Sequence, residues 1–279
     1  MSRISTRRLA QLAILTISAS ALACVPSIVH AQKHVTRVAV PSFTIRGIGP
    51  PFFSTAYLPY GINDKGTVAG TNISAAPDRG FFFAKNTLHA LAPPAHLTGS
   101  EIFGINNSGM VAAQGCFTIT CGTKRAFTGK ISHGSVVWKQ LPAPSGVSLC
   151  TLQGCNSTAN GISQTADLTG QFGNQAILWL SGKHGAYTSK RLAYTDATRF
   201  NRSSGVAVDS FGDVAGAEAD GFVTLGVFWP AHGAPLTLPG CGNFLVLGGA
   251  TFEYPYAMTA TGTSSKRTIT VAGKCLAGR

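Results

Sequence analysis

Short runs of apolar residues alternate with turn-forming residues along this chain, and one such unit recurs. Its clearest copy is Gly61-Ile62-Asn63-Asp64-Lys65-Gly66-Thr67-Val68-Ala69-Gly70. Ile62 and Val68 are strand-type residues, and Asn63-Asp64-Lys65-Gly66 between them is turn chemistry. An Asn or Asp side chain bonds the backbone two residues on, and Gly takes positive φ without a Cβ clash. Apolar residues bracketing such a turn predict a tight β-hairpin, strands A and B.

The pattern G-I-N-x-x-G-x-V-x-G returns at Gly104–Ala113, Gly161–Gly170 and Ala207–Gly216. A weaker copy opens with Ala257-Met258-Thr259-Ala260-Thr261-Gly262 and closes with Val271-Ala272-Gly273 after a seven-residue insertion. The copies start at 61, 104, 161, 207 and 257, at spacings of 43, 57, 46 and 50. Each period has room for two further strands. Strand C is aromatic or β-branched: Phe81-Phe82-Phe83, Ala126-Phe127-Thr128, Ile177-Leu178-Trp179 and Val227-Phe228-Trp229. Strand D is a short apolar alternation: Leu88–Leu91, Trp138–Pro142, Arg191–Tyr194 and Leu236–Pro239. Four short strands every ~45 residues is the arithmetic of a β-propeller blade.

These residues resemble the HAF repeats of bacterial extracellular proteins, whose units read roughly G-I-N-D-x-G-x-V-V-G followed by an A-F-L-W strand. The likeness covers residues 55–275, and Arg125-Ala126-Phe127 comes nearest to the His-Ala-Phe triplet. The resemblance implies a secreted repeat protein and carries no established activity with it.

Residues 1–31 read as a secretory signal peptide: Arg3, Arg7 and Arg8, then the mostly apolar Leu9–Val25, then Val29-His30-Ala31 before Gln32. A membrane anchor is the competing reading of this stretch, although Pro26 ends the run short of a span. Cys24 after Ala21-Leu22-Ala23 leaves a lipoprotein open as well. Removing residues 1–31 leaves 248 residues and takes away three arginines and no acid, so the net charge falls from +12 to +9. Later segments contain no stretch of membrane length. With 44% hydrophobic residues, 33 Gly and 14 Pro, the composition fits one turn-rich all-β domain over 32–279.

Val38-Ala39-Val40-Pro41 looks like a strand D without its blade, and the fifth hairpin runs out at Cys275 with no strand C or D after it. The two fragments complement each other. The expectation is about five blades, the last completed by residues 35–42. A β-solenoid of stacked hairpins is the alternative, since internal repeats alone do not separate the two.

Of seven cysteines, six follow residue 31, an even number in an exported protein, which reads as three disulfides. An up-and-down A-B-C-D order puts the B–C and D–A loops on one face. Cys116 and Cys121, Cys150 and Cys155, and Cys241 and Cys275 all fall there. The simplest pairing is Cys116–Cys121, Cys150–Cys155 and Cys241–Cys275, with cross-links between the first two loops the next alternative. Metal binding by the two short pairs is the competing reading, and the export signal argues against it.

Signature motifs of hydrolases, metalloproteases and nucleotide binders are missing, so neither cofactor nor metal is expected. His89, His96, His133, His184 and His232 are scattered near turn residues. Asp209, Asp213, Glu218 and Asp220 form the one acidic cluster, readable as a Ca²⁺ site or as strands around a solvated turn. Trp179, Trp229, Phe83 and Phe127 recur at strand C and predict inter-blade core. Tyr57, Tyr60, Tyr254 and Tyr256 precede hairpins, on D–A loops of the cysteine face. They are candidate ligand-binding residues, with buried packing the competing reading. Positive charge is spread thinly, without a stripe for nucleic acid. It would draw the chain to anionic envelope polymers. These features predict an exported, monomeric, non-catalytic module binding glycans or envelope components. A five-bladed glycoside hydrolase or lyase with carboxylates in its channel, and a cell-surface scaffold, are the alternatives.

Overall fold

The computed structural model describes residues 57–74, 77–118, 120–145, 156–238, 253–263 and 266–275. They form four four-stranded antiparallel sheets, arranged as propeller blades, and one two-stranded sheet. Blade 1 is β1 (Tyr57–Ile62), β2 (Val68–Asn72), β3 (Arg79–Ala84) and β4 (Thr87–Ala90). Blade 2 is β5 (Gly99–Ile105), β6 (Met110–Cys116), β7 (Lys124–Ser132) and β8 (Ser135–Gln140). Blade 3 is β9 (Ser157–Ile162), β10 (Leu168–Phe172), β11 (Gln175–Ser181) and β12 (Tyr187–Arg191). Blade 4 is β13 (Arg202–Val208), β14 (Val214–Ala219), β15 (Thr224–Trp229) and β16 (Leu236–Thr237). The fifth repeat is the hairpin β17 (Glu253–Thr263) and β18 (Lys266–Cys275).

The expected count of five blades is corrected: among the described residues four complete blades stand, and the fifth repeat is a two-stranded hairpin. Residues 35–42, and those beyond Cys275, lie outside the described residues. The seven-residue insertion in the fifth copy does not loop out. Ala257 pairs with Ala272 and Thr263 with Lys266, so the extra residues lengthen both strands.

All four complete blades share one hairpin register: Ile62 faces Val68, Ile105 faces Val111, Ile162 faces Leu168 and Val208 faces Val214. Strand A then carries an extra residue just before the motif, a β-bulge at Tyr60, Phe103, Asn160, Val206 and Tyr256. Such a bulge re-aims the bulged side chain and sharpens the local twist. It also brings a carbonyl of strand A onto strand B: a Cβ at Gly170 would collide with the Thr158 carbonyl.

The A strands are the inner strands, each packed on the next: β1 on β5, β5 on β9, β9 on β13, and β13 on β17. Their approach explains the first glycine of the motif. A Cβ at Gly161 would collide with the Val206 carbonyl of the next inner strand.

Three apolar clusters fill the seams between successive blades. Phe82, Leu91, Ile102 and Val111 pack between blades 1 and 2. Leu141, Leu168, Ile177 and Trp179 pack between blades 2 and 3, and Leu178, Leu192, Val214 and Trp229 between blades 3 and 4. Because blade 2 is covered on both faces, its second strand β6 is buried along nearly its whole length and shows no alternation of buried and exposed positions. Trp179, Trp229 and Phe127 are buried as expected, but Phe83 is only half-buried. Its neighbours Phe81 and Phe82 take the core positions at 1% and 4% exposure.

Polar links join the same seams. Ser100, Ser157 and Ser203 open strand A, and their hydroxyls accept the backbone N–H of Gly80, Ala126 and Ala176 of the preceding blade. Indole nitrogens donate backwards in the same way, Trp138 to Ala92 O, Trp179 to Pro142 O and Trp229 to Ala193 O.

Candidate functional site

Strand direction fixes which ends of the blades share a face. Strand A runs from the cysteine face to the A–B turn, so residues 99–101 of β5 and the end of β6 near Cys116 lie together at the cysteine face. The disulfide Cys116–Cys121 forms there, across 4.7 Å between Cα atoms. Its loop is held at both ends: Phe117 N donates to Thr123 O, and Asn156 accepts Lys124 N and donates to Gly122 O. Cys150, Cys155 and Cys241 lie outside the described residues, and Cys275 ends β18 opposite Glu253, at the start of β17.

The expected loop positions of the tyrosines are corrected. Tyr57 and Tyr60 lie inside β1, and Tyr254 and Tyr256 inside β17. The hairpin motif marks only the second half of strand A; backbone pairing extends four residues upstream of Gly61, to Tyr57. Tyr57 packs edge-on against Phe81, with ring centroids 5.2 Å apart, and is half-buried. Tyr60 stays 48% exposed, and its ring meets Phe103 at 5.5 Å. Both are bulge residues, so the two bulges place adjacent aromatics on the inner wall. The bulge of blade 3 places Asn160 there, donating to Ser204 Oγ and Gly205 O at 3.0 Å.

Beside this aromatic pair is a group of polar side chains that sequence reading did not single out. Glu101 of β5 stands directly across from Gln114 of β6, and Gln114 Nε2 donates to Glu101 Oε1 at 2.6 Å. Cys116 Sγ lies 3.9 Å from Glu101 Oε1, and Gln114 Nε2 lies 3.7 Å from Cys121 Sγ. Burial pushes the Glu101 carboxyl up, with a further push from Asp78, against the Gln114 hydrogen bond and Lys124. Burial raises the Asp78 carboxyl too. The Tyr60 hydroxyl is raised by burial first, then by Glu101 and Asp78, so the aromatic pair and both carboxyls share one electrostatic environment. Chemically the arrangement offers an exposed ring face and two carboxyls near one mouth of the inner wall, with the Gln114 amide buried against Glu101.

The acidic cluster of blade 4 is structural. Asp209 Oδ1 accepts Phe211 N and Asp213 N within its own turn, and Asp213 Oδ1 accepts Ala231 N. Glu218 accepts Thr195 N and Oγ1, and Asp220 caps Phe222 N and Val223 N and pairs with Arg199 at 3.3 Å. Every acid there is engaged with the chain itself, the blander of the two readings of that cluster. The histidines serve turns and packing: His96, His133 and His184 take positive φ, and His89 stacks on Phe82 at 4.5 Å. On the opposite face, a cleft of about 210 Å³ between blades 1 and 2 is lined by Asn63, Lys65, Ser108, Ile131 and His133. That is smaller than the roughly 300–1,000 Å³ of small-molecule pockets. Among the described residues, no helix is long and apolar enough to cross a membrane.

No protein-family model matches the chain, and no curated protein does. Among solved structures the chain is similar to Porphyromonas gingivalis dipeptidyl peptidase 4, at 10% identity and a TM-score of 0.39. The similarity covers 72% of this chain and 31% of that one, so the chain spans less than a third of that protein's length.

Proposed function

We propose that the chain is an exported, monomeric, non-catalytic propeller that binds glycan chains of the cell envelope on its cysteine-bearing face. In this reading residues 1–31 are the export signal, and residues 35–42 complete a fifth blade with β17 and β18. The observation that carries the reading is the exposed Tyr60 ring against Phe103, beside Glu101 and Gln114. A flat apolar ring covers the C–H face of a sugar, and the Glu101 carboxylate takes its hydroxyls. The general positive charge adds attraction to anionic polymers, which salt screens.

The test is binding of the oxidised chain to immobilised envelope glycans at low and high salt, with Tyr60→Ala and Glu101→Gln beside wild type. Saturable binding that survives salt and weakens at least tenfold in Tyr60→Ala is the expected outcome. Wild-type affinity in Tyr60→Ala, with the variant folded, would overturn the reading.

A second reading is hydrolysis of the same glycans. It is favoured by two neighbouring carboxyls, Glu101 and Asp78, which burial raises above their ordinary values, the direction a general acid needs. Release of reducing ends that stops in Glu101→Gln would establish it. Binding without any released product leaves the non-catalytic reading standing.

A further inference from the structure

We propose that reduction of the Cys116–Cys121 disulfide opens a site for one thiophilic divalent cation. Cys116 Sγ, Cys121 Sγ and a Glu101 carboxylate oxygen would be its ligands, with Gln114 Oε1 as fourth donor. This goes beyond the glycan reading and does not rest on it.

The geometry carries the proposal. One ligand atom from each of Glu101, Cys116 and Cys121 lies within 4.8 Å of the other two. A tetrahedral zinc centre, with bonds of about 2.0–2.3 Å, needs its donor atoms roughly 3.3–3.8 Å apart. The sulfurs are closer than that while bonded and need only part from one another on reduction. The loop between them is anchored independently of the disulfide: Cys121 N donates to Thr118 O, Gly122 N to Thr118 Oγ1, and Asn156 ties residues 122 and 124. Breaking the S–S bond therefore leaves both cysteines presented to Glu101.

Gln114 supplies a second and separate observation. Its side chain is only 3% exposed, and Oε1 is buried without a hydrogen-bond partner while Nε2 holds Glu101. A buried acceptor left unpaired has lost its water without gaining a partner. The amide nitrogen is the end that now faces Glu101 Oε1 and Cys121 Sγ, at 2.6 and 3.7 Å, so turning the amide over about its last bond brings Oε1 to the cation and gives it a partner. Two thiolates, a carboxylate and an amide oxygen suit zinc and its substitute cobalt.

The redox step balances with a dithiol as reductant. A dithiol thiolate attacks the half-buried Cys121 sulfur, the S–S bond breaks, and Cys116 leaves as thiolate. The second dithiol sulfur resolves the mixed disulfide, so two electrons pass to the protein and the reductant becomes a cyclic disulfide. Binding of the cation then displaces the two thiol protons. In an oxidising compartment the site is closed by its own cystine.

The experiment is anaerobic Co²⁺ titration of the full chain, oxidised and dithiol-reduced, in wild type, Cys116→Ser, Glu101→Gln and Gln114→Ala. Because the other cysteines also bind cobalt when reduced, the readout is the equivalent lost with Cys116→Ser. Expected are a tetrahedral cobalt spectrum with thiolate charge transfer in the reduced chain only, and one equivalent fewer in Cys116→Ser. That equivalent should bind at least tenfold more weakly in Glu101→Gln, a change that keeps the side chain's size. Unchanged stoichiometry in Cys116→Ser, or unchanged affinity in Glu101→Gln, overturns the site. Circular dichroism of each variant identifies any that fails to fold. Glycan binding is measured on the oxidised, metal-free chain, so the two proposals fail separately.

Discussion

Asn63 donates its side-chain N–H to the backbone carbonyl of Asn106, 43 residues away, at 3.1 Å. Asn106 repeats the gesture towards Ser163 O at 3.0 Å, 57 residues on. The other end of each amide stays at home. Asn63 Oδ1 accepts Lys65 N and Thr67 N, and Asn106 Oδ1 accepts Ser108 N and Met110 N. One side chain thus closes its own turn and ties its blade to the next. Ser163 and Asp209 at the same motif position keep the turn acceptor but carry no amide N–H to pass on.

Asn106→Ser therefore separates the two duties, since serine serves the turn in blade 3. It should cost about 1 kcal/mol, the net worth of one hydrogen bond. Asn106→Ala also loses the turn acceptor in a fully buried place and should cost about 2–3 kcal/mol. Urea unfolding of both variants measures the difference between them.

Ala166 occupies the turn position that is glycine in three of the other hairpins, and it sits at φ 69°. A Cβ in the left-handed region costs about 1–2 kcal/mol, and the entropy of glycine returns part of that. Ala166→Gly should raise stability by about 0.5–1 kcal/mol, seen as a higher midpoint with an unchanged urea slope.

Trp179 is fully buried and donates from Nε1 to Pro142 O at 2.8 Å. Trp179→Phe keeps most of the apolar contact and leaves that carbonyl without its donor, at a cost of about 1–2 kcal/mol. Trp179→Ala empties the seam between blades 2 and 3 and should cost about 3–5 kcal/mol. Thermal unfolding that shows no loss in Trp179→Phe would mean the indole N–H contributes nothing.

Glu218 is fully buried, and burial holds its carboxyl above the ordinary value of 4.5 despite the hydrogen bonds from Thr195. A carboxyl raised on folding binds more protons in the folded state. Its contribution favours folding at low pH and is lost as pH rises through the interval above the ordinary value. Glu101 and Asp78 act in the same direction. Asp196 and Asp220, held low by hydrogen bonds, act oppositely and lose their contribution as pH falls. Glu218→Gln should therefore gain on wild type as pH climbs from about 4 to 7. Urea midpoints across that range check the sign. A constant difference between variant and wild type would remove Glu218 from the account.

The turn and its register were legible because they are local. Asn63 to Gly66 closes within four residues, and Ile62 facing Val68 follows from the turn length alone. Strand D begins and ends earlier in blades 2 and 3 than the apolar alternation predicts. Leu141 and Leu192, read as strand, sit just beyond β8 and β12, where their N–H groups close on Ala126 O and Ala176 O and their side chains enter the seam. A buried leucine past a strand end looks like strand to any periodicity argument. Ser100, Ser157 and Ser203 recur four residues ahead of the motif and were readable as a repeat, but a lone serine carries no strand signal to draw notice.

The sequence by itself determined what the backbone does within about ten residues: the hairpins, their shared phase, and four strands per period. Repetition makes such local preferences visible, because turn chemistry must be restated in each copy. The tertiary structure alone decided which of Phe81, Phe82 and Phe83 are fully buried, that Asn63 and Asn106 work across a seam, and that Tyr60 and Glu101 meet at one mouth with Gln114 buried against Glu101. Those three residues come from three strands of two blades. Only the close approach of the inner strands, permitted by the motif glycines and steered by the bulges, brings them together.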